Sequence, residues 1–288
     1  LLVRRLIVNA DDFGLTRGVN RAIVELNRQR VLTSATLMAC AEATQEAIAL
    51  AGETASLGVG CHVVLVDGEP ALPAAQIPSL ADWKTDRRRG RFHATLGSFL
   101  RNLLTGQIDP AQIQSETSAQ IALLQQAGLE PTHVDTHKHT HMFPAVLRPV
   151  LRAARSAGIT AVRNPFEPEW SRRATLSAPR MRRFEVALLH RLEPAFRRIV
   201  AEEGFTTTDG AIGVLATGTL DRAAVSSLLR AMPPGTWELV THPGYNDADL
   251  KQANTRLLAA RETEQQALQN VAEFDDVELI RFSDLKAQ

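Results

Sequence analysis

The sequence predicts an α/β fold, a TIM-like (β/α) barrel of seven or eight mostly parallel strands, distorted in places. Three observations carry that expectation. Short runs of β-branched and aliphatic residues alternate with segments of helical period along all 288 residues. Seven or eight strand–helix units in a chain of this length favour a barrel over a doubly wound sheet. The polar residues that interrupt the apolar runs stand at their carboxyl ends, where parallel α/β folds keep their sites.

Composition narrows the class. A chain of 288 residues with 44% hydrophobic content can bury one full-sized core, so residues 1–288 read as a single barrel domain. Lys plus Arg and Asp plus Glu each number 32, which gives no global electrostatic case for nucleic acid or an anionic membrane. Two cysteines, Cys40 and Cys61, make no disulfide framework. Neither a signal-peptide pattern nor a run of about 20 apolar residues is visible. The expectation is a soluble protein of the reducing cytoplasm.

Taken in order, the first strand, Leu6-Ile7-Val8-Asn9-Ala10, ends on Asp11 and Asp12. Where that strand gives way to a loop both carboxylates can turn toward one cavity, and Gly14 allows the bend. Thr16 caps a helix whose Val19, Ile23 and Leu26 share a face. Residues 34–39 form a second strand, 43–53 a helix, and 57–65 a third strand holding His62 in an apolar run. Residues 66–93 break the pattern with Pro70, Pro73, Pro78 and the cluster Arg87, Arg88, Arg89 and Arg91, as an irregular insertion.

Helical period returns over 96–104 and 111–127, the latter ended by Gly128. A fourth strand, 131–137, runs into the densest polar cluster of the chain. Pro144 opens a helix to Gly158, 160–163 is a short fifth strand, and 164–177 reads as irregular. Pro179 opens a long helix, bent at Pro194, with Met181, Phe184, Leu188, Leu192, Phe196, Ile199 and Val200 at core spacing. Its arginines at 180, 182, 183, 191, 197 and 198 read as a solvated face rather than a phosphate or lipid-headgroup contact. A sixth strand at 210–215, a helix capped by Asp221, a seventh strand at 237–242, a helix over 250–274 and an eighth strand at 277–280 complete the series.

Polar groups thus end four strands: Asp11 and Asp12, His62, His137 with its neighbours, and His242. In a barrel these ends share one rim, and two imidazoles with one carboxylate leave an ion a free position, as catalytic metals require. Each has a plainer explanation. A lone histidine such as His62 is more often structural, and paired aspartates often mark a turn. Four of the eight histidines, His133, His137, His139 and His141, fall within nine residues, which is harder to dismiss. Asp135 is placed to orient a histidine, and Arg163 to bind substrate or pair with an acid.

The segments Asn9-Ala10-Asp11-Asp12-Phe13-Gly14, Gly58 to Leu65, His133 to Pro144 and Thr241-His242-Pro243 together resemble the YdjC-like carbohydrate deacetylases, the diacetylchitobiose deacetylase family. Residues 66–73 further resemble its hopanoid-biosynthesis branch. The resemblance runs from about residue 4 to 285. It implies a barrel enzyme that removes the N-acetyl group from an amino sugar with a divalent metal, usually magnesium. Asp12, His62 and His137 match the metal positions, Asp11 the base and His242 the acid. Asp135, His139, His141 and Arg163 are candidates for substrate binding or for supporting those ligands. The donor set also suits zinc or another transition ion. Cys61 sits beside His62, and strand alternation turns it away from the metal.

The expected reaction is hydrolysis of a linear amide, in which the ion activates water, Asp11 removes a proton and His242 protonates the leaving amine. A metal-dependent phosphoesterase on the same barrel is the rival, weakened by the lack of a glycine-rich phosphate loop. A non-catalytic sugar-binding protein is the other. The hopanoid resemblance implies a glycolipid substrate and peripheral membrane contact through the 66–93 insertion and the basic helix. Oligomeric state is not legible.

Overall fold

A computed structural model describes residues 3–82, 90–175 and 178–285. Arg87, Arg88 and Arg89 lie outside the described residues. The strands β1 (Arg4–Phe13), β2 (Ser34–Leu37), β3 (Gly58–Val63), β4 (Val134–Thr136), β5 (Gly210–Ile212), β6 (Gly235–Thr241) and β7 (Val277–Leu279) join one parallel sheet. Its order is β4-β3-β2-β1-β6-β5, with β7 pairing the start of β1 where β2 pairs its end. β1 is therefore central, and Leu6, Ile7, Val8 and Ala10 are fully buried in it. Residues inaccessible on both faces explain its nearly unbroken apolar run.

The sheet curls, and its edges are joined by single bridges rather than a full strand. Val134 bridges Val162, Ala161 bridges Thr206, and the Phe166 carbonyl accepts the Ala211 N–H at 3.2 Å. The expected fifth strand is reduced to those bridges. A distorted β/α barrel results, with the carboxyl ends of its strands on one rim.

The surrounding helices are α1 (Arg17–Arg28), α2 (Thr44–Gly52), α3 (Leu96–Leu104), α4 (Pro110–Gln126), α5 (Pro144–Ser156), α6 (Glu169–Ala174), α7 (Arg180–Leu189), α8 (Glu193–Glu202), α9 (Arg222–Ala231), α10 (Ala248–Gln252) and α11 (Ala259–Leu268). Local chemistry sets their starts. Thr16 and Asp221 accept the N–H of Val19 and Ala224, which relieves orphan donors of the first turn by about 1 kcal/mol each. Burying Val19, Ile23 and Leu26 of α1 contributes roughly 1.5–3 kcal/mol each.

Four further expectations change. The long helix from Pro179 is two, α7 and α8, separated by a 3-10 turn at His190–Leu192. Pro194 explains the break, since it lacks an N–H and crowds the carbonyl four residues back. α7 is also turned over: Arg182 donates to the Val214 carbonyl at 2.9 Å and Arg183 to the Arg172 carbonyl at 2.9 Å, whereas Met181 and Phe184 are 69% and 65% exposed. Residues 164–177 are not wholly irregular, because α6 lies within them; 176–177 are outside the described residues. The helix expected over 250–274 splits into α10, α11 and a 3-10 turn, with Asn254 drawn out to bond Asp67.

Among its described residues, the 66–93 insertion contains little regular structure but is pinned. Glu116 of α4 accepts the N–H groups of Ala71 and Leu72 at 2.7 and 3.0 Å, and the Asp67 N–H meets the His93 carbonyl at 2.9 Å.

Candidate metal centre and acid–base site

Asp11 and Asp12 reach one buried cluster of polar side chains through a bulge. β1 does not stop at the acids; its register against β2 shifts between Ala10, opposite Ala35, and Phe13, opposite Leu37. Two acids therefore face the single residue Thr36, and Asp12 takes φ 65°. That left-handed residue cancels the alternation that would send neighbouring side chains to opposite faces. Gly14, at φ 98°, completes the turn, and a Cβ there would stand 3.2 Å from the Met38 carbonyl.

Asp12 Oδ1 lies 3.5 Å from His62 Nε2 and 3.4 Å from His137 Nδ1, and the two ring nitrogens are 3.3 Å apart. Donors about 2.1 Å from a common ion at tetrahedral angles stand about 3.4 Å from one another. The donor set therefore fits a divalent ion in both spacing and chemistry. His137 is delivered by the turn after β4, where Lys138 and His139 are both left-handed at φ 56° and 52°. Backbone of that kind is sparsely populated and collects at binding sites.

The surroundings call for positive charge at the triangle. Asp135 Oδ1 is 2.7 Å from His62 Nδ1, so the Nδ1–H donates to that carboxylate and Nε2 is the nitrogen that faces Asp12. Burial opposes a charge on His62, yet Asp135, Asp12 and Asp11 outweigh it and lift its pKa to about 10. Asp12 is held well below the carboxylate range, with Arg261, His137 and His62 overriding burial. A cation between these groups replaces the proton that the same field attracts.

Asp11 is gripped by Arg163, which is fully buried and also binds Glu238 at 2.7 Å and Asp135. Burial works to raise the Asp11 pKa, but Arg163 overrides it and the carboxyl titrates below its ordinary range. Glu238 goes the other way: burial pushes it up to about 7 against the pull of Arg163. His242 Nε2 stands 3.8 Å from Asp11 Oδ2, and its Nδ1 is 3.6 Å from Glu264 Oε2. Asp12 Oδ2 accepts a 2.5 Å bond from Arg261 Nη2.

The remaining histidines divide. His133 stacks on Phe282 with centroids 3.7 Å apart, and burial presses its pKa down to about 3. His141 is held between the Thr136 hydroxyl at 2.7 Å and the Arg163 carbonyl at 3.2 Å, beside rather than in the triangle. His139 is packed edge-on to His141, with its buried Nδ1 unpaired. Cys61 joins the apolar core, and burial raises its thiol pKa. Sequence reasoning missed Arg261, Glu264 and Glu238. Only Glu238 left a signal, as the single acid in the buried run Trp237-Glu238-Leu239-Val240; Arg261 and Glu264 look like any pair on a polar helix.

These features define a class: a parallel β/α barrel with a candidate metal centre on the carboxyl rim of its strands. The chain belongs to the YdjC-like protein family, which it matches over residues 5–276. It is 43% identical over 162 residues to a carbohydrate deacetylase of Brevibacillus brevis, covering 56% of this chain and 60% of that one. It is 38% identical over 174 residues to a chitooligosaccharide deacetylase of an Enterobacter species, covering 60% and 64%. The chain thus spans less than two thirds of the length of these relatives. A solved structure from Enterococcus faecalis V583, described as a cellobiose-phosphate cleavage protein, shares the fold with a TM-score of 0.73 at 23% identity, covering 97% and 98% of the two chains.

Proposed function

We propose that the protein is a metal-dependent carbohydrate N-deacetylase, adding water across the N-acetyl amide of an amino sugar to give acetate and the free amine. The observation that carries this reading is a carboxylate, Asp11, and an imidazole, His242, 3.8 Å apart beside a three-donor ion site. Asp12, His62 and His137 would hold the ion. A divalent ion bound there supplies Lewis acidity, lowering the pKa of water and polarising the acetyl carbonyl. Asp11, kept ionised by Arg163, takes a proton from the attacking water. His242 returns a proton to the sugar nitrogen as the C–N bond breaks. Asp135 holds the ring of His62.

The relatives' names support an N-acetylated sugar as substrate. The family resemblance points to magnesium, whereas two imidazoles and the donor spacing favour zinc or another transition ion. Site residues drawn from both ends of the chain support one domain. Free Cys40 and Cys61 support a reducing compartment such as the cytoplasm.

The finer reading is a glycolipid substrate, a glycosylated hopanoid by the branch resemblance, met at a membrane surface. Met181, Phe184 and Leu188 point outward from α7 beside exposed Arg180 and Arg191, a pattern suited to an anionic interface. No helix among the described residues is long and apolar enough to cross a membrane. Acetate release from N-acetylglucosaminyl compounds tests the activity. Asp11→Asn should keep the metal and lose turnover, Asp12→Ala should lose the metal, and full turnover in Asp11→Asn removes the base. Co-sedimentation with anionic vesicles, lost in a Met181→Ser/Phe184→Ser/Leu188→Ser variant, tests the membrane contact; unchanged binding overturns it.

A further inference from the structure

α11 sends two charged side chains into the rim from one turn of helix. Arg261 and Glu264 are each 1% exposed. Arg261 braces Asp12 through Oδ2, the oxygen turned away from the ion site. Glu264 reaches the other half of the site: Oε2 accepts the His242 N–H at 2.6 Å and Oε1 accepts the Gly218 N–H at 3.1 Å. It thereby ties the segment after β6 to the segment after β5.

A purely structural bridge has no need of charge. Two backbone N–H groups are satisfied by neutral oxygens, and a buried carboxylate costs several kcal/mol unless something positive compensates it. Arg182 of α7 acts on Glu264 from beyond ion-pair distance, and the nearest positive group among the described residues is the ring of His242. Its Nδ1, buried and without a closer partner, is 3.6 Å from Glu264 Oε2, while Nε2 is 3.8 Å from Asp11 Oδ2. An imidazole with a carboxylate on each side is stabilised as the imidazolium, and both its N–H vectors are then specified.

We infer that Glu264 is the positioning residue of His242, holding its ring with Nδ1 toward the Glu264 carboxylate and Nε2 toward Asp11 and the substrate nitrogen. The inference rests on the reading of His242 as the acid. Glu264 itself touches neither substrate nor ion; it acts through the imidazole. The charged groups acting on that ring are Glu264 from α11 and Asp11 and Asp12 from β1. Burial opposes the ring's charge, and these three carboxylates together raise its pKa above the ordinary value.

The test is the pH dependence of kcat for acetate release by the metal-loaded protein. An acid must be protonated to act, so turnover falls above its pKa. Glu264→Gln removes the charge and should move that high-pH limb down by about one unit or more, with KM little changed. Glu264→Asp, which restores the charge, should bring the limb back toward wild type. A limb that stays in place in Glu264→Gln overturns the inference. Should that variant fail to fold, nitrogen NMR of the His242 ring in the wild-type protein decides: a proton held at Nδ1 against the Glu264 carboxylate supports the inference, and an unprotonated Nδ1 overturns it. His242→Gln separates the two ideas. Full turnover there sinks the acid assignment itself, whereas lost turnover with an unmoved limb in Glu264→Gln sinks only the role of Glu264.

Discussion

Arg163 and Asp11 form a two-pronged ion pair inside the barrel, Nη1 to Oδ2 at 2.8 Å and Nη2 to Oδ1 at 2.6 Å. Both carboxylate oxygens are engaged, so the orientation of the proposed base is set by one guanidinium. Arg163 stands at the end of the reduced fifth strand, 152 residues from Asp11 in sequence.

Arg163→Lys keeps the charge but loses the planar fork. Turnover is expected to fall roughly 10- to 100-fold through misplacement of Asp11. Asp11 also loses part of the pull that holds its pKa below the ordinary range against burial, so the low-pH limb of the rate profile should move to higher pH. A pH–rate profile with unchanged limb and amplitude would contradict the assignment.

Glu238→Gln should stabilise the protein at pH 8 and not at pH 5. Burial lifts the Glu238 pKa to about 7, against the pull of Arg163. A carboxyl raised on folding favours the fold fully below its unfolded pKa, and that contribution is lost as pH climbs through about 7. At pH 8 the wild type therefore bears the cost of an ionised buried acid, on the order of 3 kcal/mol. The amide avoids it and can still accept the Arg163 Nε hydrogen bond. Thermal melts at the two pH values check this; an equal shift at both would be inconsistent with it.

Asp135→Asn should weaken ion binding about 10- to 100-fold, since the carboxylate that fixes the ring of His62 is gone. Calorimetric titration of chelator-stripped protein with zinc reads the effect without reference to turnover. Equal affinity in variant and wild type would remove Asp135 from the site's support.

Gly60→Ala should cost about 1–3 kcal/mol by overpacking. A Cβ at Gly60 would stand 2.5 Å from His133 Cε1, and the ring has no retreat because it is stacked on Phe282 at 3.7 Å. The urea midpoint should drop, and an unchanged midpoint would mean that His133 repacks freely.

The sequence by itself determined the alternation of strands and helices, the caps at Thr16 and Asp221, and which chemical groups end the apolar runs. Those are local matters: apolar period and capping oxygens act within a turn or two of the residue that carries them. Tertiary structure alone decided which arginine serves which acid, Arg163 with Asp11 and Arg261 with Asp12, across 152 and 249 residues. It also decided that a bulge opposite Thr36 brings both acids to one polar cluster around His62, and that α7 shows its apolar side to solvent. Charges look alike in a sequence, and their partners are chosen only when the curling sheet brings its two ends together. For the same reason Glu264 carried no sign of its place beneath His242.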